Sequence, residues 1–103
     1  MARRASLALV WAAPALDDLD EIASFIALDD PKAAAALVAR CLVAIERLRD
    51  HPESGRLVPE VAGKTYREII EPPCRLLYRR ERARILIVHV VRSERVLHVG
   101  RLR

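Results

Sequence analysis

Apolar and polar positions alternate along residues 7–11, where Leu7, Leu9 and Trp11 share one side and Ala8 and Val10 the other, the two-residue period of a strand. The period then changes. Leu16, Leu19, Ile22, Ala23 and Ile26 recur every three or four residues, which predicts one buried stripe on a helix over 14–28 with Pro14 in its first turn. Asp17, Asp18, Asp20 and Glu21 fill its early part with negative charge that suits the helix dipole. Asp30-Pro31 reads as a cap and first residue of a second helix, with the stripe Ala34, Leu37, Cys41, Ala44, Ile45 and Leu48, ending near Pro52. So short a link makes an antiparallel helical hairpin. Residues 53–63 hold Gly55, Pro59 and Gly63 without a period and read as a loop. Residues 65–71, 75–80 and 84–92 read as three strands, and 93–103 as a further strand or a docked tail. The expected fold is α+β, one domain over 1–103, with the hairpin packed on an antiparallel sheet in the order β-α-α-β-β-β.

With 103 residues the chain has room for one core and no separate nucleotide-binding domain. A basic start followed by the small and apolar residues 5–15 also has the look of a short signal peptide, but its alternation is that of a strand, and the stretch is too short to span a membrane. The only two cysteines, Cys41 and Cys74, make no disulfide framework and no CxxC pair, which fits a reduced, cytoplasmic protein. His51, His89 and His98 show no metal-ligand spacing with them, and no glycine-rich phosphate loop or nucleophile elbow is present, so neither metal nor cofactor is expected.

Charge separates the two halves. Residues 1–52 carry six Lys and Arg against eight Asp and Glu; residues 53–103 carry twelve against six, eleven of the twelve being Arg. An arginine-rich half suits an anionic partner, nucleic acid or an acidic protein segment, although charged edge strands also serve to block aggregation. On strict alternation His89 shares a side of its strand with Ile85, Ile87 and Val91, and Arg92 shares the other with Leu86, Val88 and Val90. Arg67, Arg75, Tyr78, Arg92 and Arg95 are then candidates to gather into one patch that holds an RNA phosphate, with His89 either a proton shuttle or a residue paired to a neighbour.

The chain resembles the RelE/ParE toxins of bacterial type II toxin–antitoxin systems. The matching pieces run in order from Ala15-x-x-Asp18-Leu19-x-x-Ile22-x-x-x-Ile26 through Asp30-Pro31-x-Ala33-Ala34 to Ile45-x-x-Leu48-x-x-x-Pro52-x-x-Gly55-Arg56. Tyr66-Arg67-Glu68-Ile69, Arg75-Leu76-Leu77-Tyr78-Arg79 and residues 85–92 complete them. The resemblance implies a toxin held inactive by an antitoxin, and leaves its target open between branches. The ParE-like branch poisons DNA gyrase without nuclease chemistry; the RelE-like branch cleaves mRNA on the ribosome. Helix 2 has only Lys32, Arg40, Arg47 and Arg49, and no terminal Tyr closes the chain, while the Asp30-Pro31 junction and the Gly55-Arg56 loop look more like ParE. Arg92 stands where many members have a His and His89 where an Arg is common, which separates this chain from a His-based catalytic set.

The expectation is therefore a ParE-like toxin bound by an acidic, ParD-like antitoxin segment. Its contacts are expected at Leu28, Val38 and Leu42 on the helices and at Arg67, Arg75, Arg79 and Arg92 on the sheet half. The alternatives are a ribosome-dependent endoribonuclease working through Arg67, Arg75, Tyr78 and Arg92, and a degenerate module that only binds antitoxin.

Overall fold

A computed structural model describes residues 6–93. Strand β1 (Ala8–Trp11) leads into helix α1 (Ala13–Ala27), with Pro14 in its first turn. Helix α2 (Pro31–Glu46) follows, capped by Asp30, whose Oδ1 accepts the Ala33 N–H at 3.1 Å, and closes in a 3-10 turn (Arg47–Arg49). Four more strands complete the chain: β2 (Arg56–Leu57), β3 (Tyr66–Glu71), β4 (Cys74–Arg80) and β5 (Arg84–Arg92). They form one sheet in the order β1-β5-β4-β3-β2. The element order is the expected one, with the two-residue β2 added inside what reads as loop. The residues after 93, where a further strand or tail is expected, lie outside the described part, as do Arg95 and His98.

Two features depart from the sequence reading. The sheet is mixed and not antiparallel throughout, because β1 runs parallel to β5, pairing Ala8 with Arg84 and Trp11 with Ile87. Everything from α1 to β4 lies between these two strands in the chain, a connection long enough for the parallel pairing. The second departure lies in β5. Leu77 pairs with His89 and Tyr78 with Ile87, so Val88 has no partner across the ladder and alternation reverses beyond it. Ile85, Ile87 and Val90 consequently face the helices, while Leu86, Val88 and Val91 face the other way, in place of the strict alternation expected.

The main core lies between the hairpin and the sheet, where Ala15, Leu19, Ile22, Leu37, Cys41, Ile45 and Leu48 meet Cys74, Leu76, Tyr78, Ile85 and Ile87. Leu16, expected in the stripe, is half exposed; Ala15 occupies the buried position instead. A smaller cluster of Val58, Leu77 and Val88, with Val61 and Tyr66 against it, covers part of the opposite sheet face. Among the described residues no helix is long and apolar enough to cross a membrane.

Candidate functional site

The candidate arginines and tyrosine of the sheet half do not converge; β3, β4 and the β5 bulge distribute them over three places. The first is the turn before β2. Tyr78 is fully buried, and its Oη both accepts the Gly55 N–H at 3.0 Å and donates to the Pro52 carbonyl at 2.8 Å. Gly55 is required by this contact, since a Cβ there would lie 2.6 Å from the Tyr78 Oη and 2.8 Å from the Glu68 carbonyl oxygen. Arg67, paired with Tyr78 across the ladder, donates from the same side to the Gly55 carbonyl at 2.8 Å and the Glu53 carbonyl at 3.4 Å. Burial pushes the Tyr78 phenol up, only partly offset by the Gly55 N–H that it accepts. A neutral phenol locked in two hydrogen bonds is a structural tie and a poor proton donor.

The second place is the opposite face of the sheet. Glu68, 1% exposed, accepts from Arg75 Nε at 2.7 Å and from Arg56 Nε at 2.6 Å. Arg75, 6% exposed, closes a two-pronged pair with Glu60 at 2.7 and 2.8 Å. The Glu60 hydrogen bonds, followed by those of Glu68, hold the Arg75 guanidinium charged despite its burial. This chain of charges fastens the loop that follows β2 onto the sheet.

The third place is a groove of about 300 Å³ between α1 and the end of β5, lined by Asp18, Glu21, Ile22, Phe25, Val90, Val91 and Arg92. The reversed alternation beyond Val88 brings Arg92 here, with its guanidinium carbon 5.6 Å from the centre of the Phe25 ring. Asp18 Oδ2 lies 2.9 Å from His89 Nδ1 and also accepts the Val90 N–H at 3.1 Å. His89 is thus a paired residue, and Asp18, which with the other early acids lies beyond the first turn of α1, serves the sheet in place of the helix dipole.

The expected single patch of Arg67, Arg75, Tyr78 and Arg92 is therefore not formed: alternation puts Arg75 on the face opposite Arg67 and Tyr78, and the bulge carries Arg92 to the helix side. Arg79 donates to Glu81 at 2.9 Å and to the Tyr66 hydroxyl at 3.3 Å. Of the apolar positions, Leu28 is 81% exposed and Leu42 about half exposed, whereas Val38 is half-buried against the core. Phe25 and Val43 are open as well and were not singled out by sequence, although both lie off the core stripes, which is the signal that marks Leu28 and Leu42. Cys41 and Cys74 are buried in hydrogen-bond contact, and that bond, then burial, pushes the Cys41 thiol far up, away from nucleophilic character. Among the described residues no group of three or more His, Cys, Asp or Glu side chains is placed to hold a metal ion.

Comparison with known proteins agrees with this architecture. A chain from the chromosomal ParDE toxin–antitoxin system of P. aeruginosa superposes with a TM-score of 0.73, covering 86% of this chain and 98% of that one at 22% identity. A curated relative described as "Putative toxin Y4kP", from Sinorhizobium fredii (strain NBRC 101917 / NGR234), is 50% identical over 46 residues, which spans 45% of this chain and 48% of the relative. Residues 9–97 match the family of ParE toxins of type II toxin–antitoxin systems, parDE, from β1 through all the elements above. That match covers most of the chain, and the protein belongs to the ParE toxin family.

Proposed function

We propose that the protein halts growth by binding and poisoning DNA gyrase, and that an acidic ParD-like antitoxin segment holds it inactive. The observation that carries this reading over an endoribonuclease is the engagement of every nuclease candidate in the scaffold. Tyr78 ties down the Pro52–Gly55 turn, Arg75 is sealed between Glu60 and Glu68, and Arg92 sits on another face beside Phe25. A transition state for RNA cleavage needs such groups aimed at one phosphate. A protein that acts by binding needs surface instead, and the helices present it at Phe25, Leu28, Leu42 and Val43.

The antitoxin segment lies with its apolar side on the hairpin at Leu28 and Leu42, with Val38 beneath, and its carboxylates reach Arg92, while Arg67 stands at the other end of the sheet. Arg75 and Arg79, already paired with Glu60, Glu68 and Glu81, support that surface from within. Incubation with gyrase and relaxed plasmid tests the reading: micromolar protein should block supercoiling and accumulate cleaved DNA, and the antitoxin should restore activity. Untouched gyrase, together with new codon-positioned mRNA ends by primer extension from expressing cells, would replace it with the ribosome-dependent nuclease.

A further inference from the structure

One end of the sheet carries more cations than the fold uses. Three successive registers, Tyr66 beside Arg79, Arg80 beside Ile85 and Arg84 beside Ala8, end together here and form one edge of the sheet from β3 to β1. At ~4.8 Å between neighbouring strands this edge is about 15 Å wide. Lys64, Arg67, Arg79, Arg80, Arg82 and Arg84 stand along it and on the turn that caps it, against the carboxylates of Asp50, Glu53 and Glu81. Glu81 is shared, accepting from both Arg79 and Arg84, whose hydrogen bonds hold its carboxyl below the ordinary range. Arg80 approaches Glu53 only to 4.0 Å, and Glu53 itself is mostly exposed. Arg67 donates to two backbone carbonyls, which orient the guanidinium without neutralising it. Among the described residues Lys64 and Arg82 stand in no ion pair, and both are exposed.

The shape at this end also fits an anion. A pocket of about 370 Å³ opens between Pro52, Glu53, Lys64, Thr65, Arg67 and Arg80, with the buried Tyr78 also in its lining. The most exposed large apolar side chains lie elsewhere, on α1, α2 and the link after α1, as Phe25, Leu28 and Val43. A peptide that folds on binding needs apolar cover as well as charge, and among the described residues the most exposed large apolar side chains are not at this end. A phosphate backbone needs only fixed cations at intervals, and arginine presents a fork that matches it.

We propose that this end of the sheet binds the phosphate backbone of duplex DNA. The proposal deepens the gyrase reading and rests on it for its purpose: the toxin grips DNA held by its target, while the helical hairpin faces proteins. The binding itself is measurable without gyrase. A fluorescein-labelled 30-base-pair duplex, followed by anisotropy, should bind the full chain at 50 mM KCl. For three phosphate contacts the affinity should fall roughly 40-fold by 200 mM.

Arg80→Gln with Arg82→Gln should weaken binding at least 10-fold. Lys32→Gln with Arg47→Gln, which removes the same charge from α2 and the 3-10 turn that closes it, should change it less than twofold, both pairs keeping the wild-type melting temperature. Equal losses from the two pairs, or no duplex binding at 50 mM KCl, would overturn the proposal. So would a poly-glutamate peptide of 20 residues that displaces the duplex at equal charge concentration, since the end would then be a site for acidic protein. The two readings fail separately. Gyrase inhibition that survives Arg80→Gln with Arg82→Gln removes the DNA grip and leaves the toxin reading. Duplex binding by a chain that never inhibits gyrase does the reverse.

Discussion

Replacing Gly55 by alanine would push a methyl carbon to within 2.6 Å of the Tyr78 hydroxyl and 2.8 Å of a backbone oxygen that has no freedom to move. The expected loss is about 1–3 kcal/mol in urea unfolding, from overpacking and a broken hydrogen bond together. Tyr78→Phe should lose a similar ~1–3 kcal/mol without any clash, because the Gly55 N–H and the Pro52 carbonyl lose their buried partner. The same phenol gives an alkaline signature. Its proton is held more tightly in the folded chain than in the unfolded one, where the ordinary value is 10.0. Stability from this group is therefore intact below pH 10 and falls as pH rises through the folded value. In a Tyr66→Phe variant, absorbance at about 295 nm should climb only above that pH and together with unfolding; a phenol titrating at its ordinary value with the fold intact would contradict the buried tie.

At the scale of elements, the chain Arg56–Glu68–Arg75–Glu60 joins β2, β3, β4 and the following loop. Arg75→Ala leaves Glu68 buried with only the exposed Arg56 as partner, and should destabilise by about 3–5 kcal/mol. Arg75→Met with Glu68→Leu should recover much of that loss, and a double-mutant cycle in urea measures the coupling. Simple additivity of the two changes would show that the pair is not energetically joined. Part of this arrangement is legible in sequence. The stripes from Leu19 to Ile26 and from Ala34 to Leu48 announce the hairpin, and Asp30-Pro31 its corner. The bulge at Val88 is not legible, because no glycine or proline marks it and the apolar run over 85–91 reads the same in either phase. The direction of β1 is hidden for a related reason: alternation within Leu7–Trp11 is identical whether its neighbour runs parallel or antiparallel. Nor does spacing along the chain announce that Asp18 meets His89 or that Glu60 meets Arg75, since those pairings depend on which sheet face each strand residue takes.

At the scale of the whole molecule, apolar and basic surfaces are separated, with Phe25, Leu28, Leu42 and Val43 on the hairpin and the arginine row at one sheet end. If the antitoxin covers the hairpin, Leu28→Asp with Leu42→Asp should weaken the complex by about 3 kcal/mol, roughly 150-fold, with the melting temperature of the free toxin unchanged. Unaltered affinity in isothermal titration would move the antitoxin off the helices. The parallel pairing of β1 with β5 has a consequence for the order of events during synthesis. Ala8 leaves the ribosome early, yet its partner Arg84 is translated long after it. Until then the first strand has no neighbour, and Leu9 and Trp11 have no sheet to pack on. The nascent chain thus carries β1 and the side of α1 that packs on β5 without their sheet partner until β5 emerges. If the proposed antitoxin is made beforehand, it would meet an unfinished protein, and inhibition would then begin as assistance in folding.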